Sequence, residues 1–97
     1  MVKLLSIKES DKPDKKLMAT FQMSEGRTKT THFGSKGMDD YTITKDKEQR
    51  DRYRQRHKKD LETKDPTRAG YLSMYILWGD STSRQENIKT FKKKFNM

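Results

Sequence analysis

The sequence predicts an α+β fold, a three-stranded antiparallel β-meander followed by three helices. Apolar residues alternate with period two through the first third of the chain, and the pattern turns helical near residue 44. Length supplies the third constraint: 97 residues divided between two cores would leave each too small to stay folded alone, so one small domain is expected. Its parts are a meander over 1–33, a connector over 34–44 and helices over 45–97.

Val2 to Ile7, Leu17 to Met23 and Thr28 to Phe33 read as the strands. Leu17, Ala19, Phe21 and Met23 share one face of the second, which predicts a single buried sheet face. Asp11, Pro13 and Asp14 fill the first connection, and Ser24-Glu25-Gly26 predicts a tight hairpin in the second. Gly34-Ser35-Lys36-Gly37 then ends the sheet.

A first helix is expected from Asp46 to Leu61, capped by Thr44 or Asp46, with Tyr53, His57 and Leu61 forming a narrow stripe. Arg50 and Arg54 lie on one flank, and Arg52, Arg56 and Lys59 on the other. Asp65-Pro66 is a helix-start signal, so a second helix is expected from about Pro66 to Trp78. Ala69, Tyr71, Leu72 and Met74 to Trp78 leave it almost no polar face, which marks it as the central, buried helix. Gly79 is expected to end it in left-handed geometry. Ser83 and Glu86 have capping-box spacing, and a third helix from Arg84 docks through Ile88, Phe91 and Phe95 while displaying its lysines. The core is expected to centre on Phe21, Phe33, Leu72, Ile76, Phe91 and Phe95.

Leu, Ile, Val and Phe number 15, a composition close to that of disordered chains, but the apolar residues are bunched into segments, which favours order. No Cys is present, which excludes disulfides and thiolate metal sites and fits a reducing compartment. No apolar run approaches a membrane span, and Met1 to Ile7 is too short for a signal-peptide core, so an intracellular location is expected.

The net charge is +9. Residues 45–61 carry eight basic and four acidic side chains, and residues 84–97 carry five basic and one acidic, so two helices hold nearly all the excess. Packed on the apolar helix, they could present one basic surface suited to phosphates, whose binding is driven by counterion release. The competing reading is a charged face that only solvates the domain, helped by pairing of Glu48 with Arg52. The Gly34 to Gly37 turn has the G-x-x-G spacing of a phosphate-contacting loop, but a strand precedes it where such a loop needs a helix, so an exposed turn carrying Lys36 is the plainer reading.

Catalytic chemistry is poorly provided for. His32 and His57 are the only histidines, and a metal-dependent nuclease, the remote alternative, would have to use Asp39, Asp40 and His57. Asp39 and Asp40 are more simply loop-solvating, and His57 beside Tyr53 a packed histidine. Trp78 and Tyr71 could stack bases but belong more naturally to the core. No enzyme activity and no cofactor is expected.

The stretch His32 to Thr42, followed by Arg52-Tyr53 and Arg56 to Lys59, resembles a short family of basic proteins from large DNA viruses of algae and protists and from some algae. So does the tail, with Asp65-Pro66-Thr67, Tyr75 to Trp78 and Phe91 to Phe95; together these cover about residues 28–97. In the family, His often stands where this chain has Thr44, Trp near Leu61 and Arg at Met74, which weakens a His-based site. The resemblance implies a viral context and no established activity.

Two functions are therefore expected as alternatives. One is a non-enzymatic protein contacting nucleic-acid phosphates without sequence preference, through Arg50, Arg52, Arg54, Arg56, Lys58, Lys59, Lys92, Lys93, Lys94 and Lys36. The other is a virion structural component, a minor capsid or cement protein, using the same residues on acidic viral protein surfaces. Either could place the protein inside the host cell or with the virion.

Overall fold

The alternation in the first third does form a sheet. The computed structural model describes residues 2–97. Strands β1 (Lys3–Glu9), β2 (Lys15–Gln22) and β3 (Thr28–Ser35) pair antiparallel in that order, with Leu4 opposite Phe21 and Leu17 opposite Phe33. Leu17, Ala19 and Phe21 are buried and Met23 packs at their edge, so the predicted face is the core face. The register shifts between Leu4 and Ser6, which leaves Leu5 exposed on an edge strand. The hairpin expected at Ser24-Glu25-Gly26 forms, closed by Met23 N–H donating to Arg27 O.

The helical part differs in detail from the expectation. A short helix α1 (Tyr41–Thr44) occupies the connector, capped by Asp40, whose side chain accepts from Thr42 N–H. Helix α2 (Lys47–Arg56) is capped by Asp46, which accepts from Glu48 and Gln49 N–H. It stops at Arg56, and a 3-10 segment (Lys58–Thr63) continues where an unbroken helix to Leu61 was expected. The stripe of Tyr53, His57 and Leu61 is only half-buried, too little packing to enforce one helix across this stretch.

Asp65-Pro66 starts a turn and not a helix. Asp65 accepts from the backbone and hydroxyl of Thr67, while Thr67 O accepts from Thr31 and its hydroxyl from Lys29 Nζ, so this turn is tied to β3. Helix α3 (Ala69–Leu72) begins three residues later than expected and widens into a π-helical turn (Ser73–Leu77), closed by Trp78 N–H donating to Ser73 O. This pair is the innermost helical element, with Leu72 and Ile76 wholly buried.

Gly79 is not left-handed. Its constraint is crowding: a Cβ there would lie 2.2 Å from Tyr75 O and 2.8 Å from Asn87. Helix α4 (Arg84–Lys94) is capped by Ser83, whose hydroxyl accepts from Glu86 N–H. Five of the six predicted core residues are buried; the sixth, Phe95, is half-buried and meets Tyr71, Tyr75 and Phe91 at the edge of the core.

Candidate nucleic-acid interface

The expected basic residues separate into two groups. Arg50 and Arg54 face inward. The Arg50 guanidinium lies 4.8 Å from the centre of the Tyr41 ring and pairs with Asp51, and Arg54 donates to Trp78 O at 2.8 Å and to Asp80 at 3.0 Å. These contacts fasten α2 to α1 and to the segment after the π turn.

Arg52, Arg56, Lys58 and Lys59 point outward and are exposed. Arg52 reaches Glu48 at 4.0 Å, the expected i,i+4 pair, and at such exposure the contact holds it weakly. Among the described residues, Arg56, Lys58 and Lys59 have no ion-pair partner. They sit where α2 gives way to the 3-10 segment, close in sequence but not on one surface, since Arg56 lines a cleft toward the sheet and Lys58 a groove toward α4. On α4, Lys92 and Lys93 are exposed, and Lys94 lies 5.7 Å from the centre of the Tyr75 ring. Lys36 is exposed on the turn after β3, where its backbone N–H donates to Asp14 O.

The two basic helices border a groove of about 470 Å³. Lys58 stands on one wall, Thr90 of α4 on the other, and Leu61, Met74 and Phe91 supply an apolar floor. Asp51 and Asp80 also line it, so its interior is not uniformly basic.

A second cleft, of about 570 Å³, separates the end of the sheet from α2. It gathers Asp39, Asp40 and His57, the three residues a nuclease would require, but Asp40 is already committed. Its Oδ1 accepts from Thr42 N–H and hydroxyl, and its Oδ2 accepts from Lys16 Nζ at 2.6 Å and Arg84 at 3.3 Å. Lys16 Nζ also donates to Met38 O. Burial alone would push the Asp40 carboxyl up, but donation from Lys16 and Thr42 and the charge of Arg84 outweigh it and hold the group below the ordinary carboxylate range. Asp40 is thus a buried structural carboxylate, not the loop-solvating one expected. Among the described residues no group of three His, Asp or Glu side chains is placed to hold a metal ion.

Three rings stand along this cleft. Trp78 and Tyr53 stack at 4.3 Å with planes 9° apart, and Tyr53 and His57 at 4.2 Å with planes 25° apart. Burial raises the Tyr53 hydroxyl above its ordinary pKa, the nearby Asp60 charge adds to this, and a hydrogen bond with Ser73 opposes it. The pairing of Tyr53 with His57 has a sequence signal in their i,i+4 spacing. Its extension to Trp78 has none, because only the tertiary fold brings those rings together. The Asp40 cluster joins β2, α1 and α4, and its legible part is an Asp placed just before a helix.

A fold of this kind, one antiparallel sheet followed by short helices, defines a small α+β protein. The chain belongs to a family of unknown function, DUF5754, whose model matches residues 5–57. That match spans the sheet, α1 and α2 and ends at His57, so the tail from Lys58 onward lies outside it. No curated protein and no solved structure matches the chain.

Proposed function

We propose that this is a non-enzymatic nucleic-acid-associated protein of a large DNA virus, which holds phosphates through Arg52, Arg56, Lys58, Lys59 and the lysines of α4. The observation that carries the reading is the run of Arg56, Lys58 and Lys59, exposed and, among the described residues, without acidic partners, in a chain of net charge +9. Arg56 can favour the C-terminal end of α2, but exposed cations held by no carboxylate are otherwise free to meet a polyanion. Phosphate contacts alone need no match to base edges, so little sequence preference is expected. Fluorescence anisotropy with a labelled DNA duplex at low salt tests this: saturable binding tighter than that of an unstructured peptide of equal charge is expected, and affinity no better than the peptide's would refute it.

A second reading is favoured by the apolar floor between α2 and α4. Half-buried Leu61 on the groove, with Lys58 on one wall and the exposed lysines of α4 beyond the other, would suit an acidic viral protein surface, as in a minor capsid or cement protein. Icosahedrally ordered density for the chain in the particle shell, with no DNA affinity above the control peptide, would favour this reading over the first.

A further inference from the structure

The ring column ends in solvent. Trp78 is buried, Tyr53 is half-buried, and the His57 side chain, 42% exposed, forms the open end. His57 Nδ1 lies 3.2 Å from Asp60 Oδ2, which fixes the plane of the ring, and Tyr53 behind it is held by Ser73. Among the described residues no other ring or cation stacks on the imidazole. A flat, pre-oriented π surface is thus presented in the cleft that Arg56 also lines, flanked in the chain by exposed Arg56, Lys58 and Lys59.

The charges of the cleft say which part of a nucleic acid fits where. Lys15, Lys16 and Arg56 are balanced there by Asp39, Asp40 and Asp60, so the cleft as a whole offers a phosphate no net charge, and the excess lies at its mouth, where Arg56 is followed in the chain by exposed Lys58 and Lys59. Asp40 is saturated by its own partners, whereas Asp39 and Asp60 can accept from the amino groups of a base edge. We propose that His57 is a stacking platform for an unpaired base of a single nucleic-acid strand, with the base in the cleft and its flanking phosphates on Arg56, Lys58 and Lys59. The proposal rests on the phosphate-binding reading above and adds to it a substrate class. A duplex keeps its bases stacked on one another and can offer this site phosphates only, whereas an unpaired base has a free face.

The test compares labelled single-stranded DNA, single-stranded RNA and duplex DNA of one mixed sequence by anisotropy at fixed low salt. His57→Ala is expected to lower the ratio of single-strand to duplex affinity by about 5- to 150-fold, the range for loss of one stacked base, for DNA, RNA or both. His57→Phe keeps a ring without the bond to Asp60 and should restore most of the ratio, which a merely structural role for His57 would not produce. An unchanged ratio in His57→Ala, or a loss that His57→Phe does not rescue, would overturn the stacking proposal while leaving phosphate binding intact. Failure of the wild-type protein to bind either strand or duplex would overturn both.

Discussion

Asp40 shows how one residue can hold three elements. It caps α1, pairs with Lys16 of β2 and receives Arg84 of α4, so its charge is worth most when fully ionised. Because its folded pKa is depressed, its contribution is fully present above the unfolded value, about 3.9, and is lost as pH falls through the lower folded value. Asp40→Asn should cost about 3 kcal/mol at neutral pH by leaving Lys16 uncompensated. Urea unfolding at pH 7 and at pH 3 checks this: the gap between wild type and variant should narrow in acid, and a constant gap would mean that the charge of Asp40 is not what stabilises the fold. At Gly79 the limit is space. An added methyl meets a backbone carbonyl, which cannot swing aside, and Gly79→Ala should lower stability by about 2 kcal/mol, read as a melting temperature lower by roughly 8–16 °C.

Helix α4 is held through its apolar positions, and Phe91, with no exposed surface, carries most of that attachment. Phe91→Ala should cost about 3 to 5 kcal/mol, a large part of what a domain of this size possesses, while half-buried Phe95→Ala should cost about half as much. Equal losses in thermal melts of the two variants would contradict this order of burial. The same elements show what was legible in the sequence. The strands, the cap of α4 and the buried face of the central helix follow from local periodicity and capping chemistry, which the chain carries in adjacent residues. The π turn at Ser73–Leu77, where Asn87 donates to Ile76 O, and the turn at Asp65 do not, because they are met by contacts from elsewhere in the chain, and the 3-10 winding after Arg56 does not, because it reflects how little that half-buried stripe is packed. Thr67 is drawn to β3 by Lys29 and Thr31, which removes Pro66 from the helix its sequence signal announces. For the candidate site, the basic residues were legible as a set; their division into inward and outward groups was not, because the carbonyl of Trp78 that takes Arg54 lies 24 positions away.

At the scale of the whole molecule, that division sets the response to salt. Arg50 and Arg54 are occupied by the fold, which leaves Arg52, Arg56, Lys58 and Lys59 exposed around the end of α2 and Lys92, Lys93 and Lys94 on α4. Four to six phosphate contacts are expected, so the logarithm of duplex affinity should fall with the logarithm of salt concentration with a slope of about −3.6 to −5.4. Replacing Arg52, Arg56 and Lys59 together by Gln should flatten that slope by about two to three units, since each cation releases nearly one counterion. Arg54→Gln supplies the contrast: it breaks contacts with Trp78 and Asp80 and should lower the melting temperature while leaving the slope unchanged. Anisotropy titrations between 50 and about 200 mM salt, the range over which such contacts change affinity steeply, resolve these differences. A triple variant with the wild-type slope would remove the end of α2 from the interface and shift the assignment to the lysines of α4. A change of slope in Arg54→Gln would show that its pairing with Trp78 O and Asp80 opens when nucleic acid arrives.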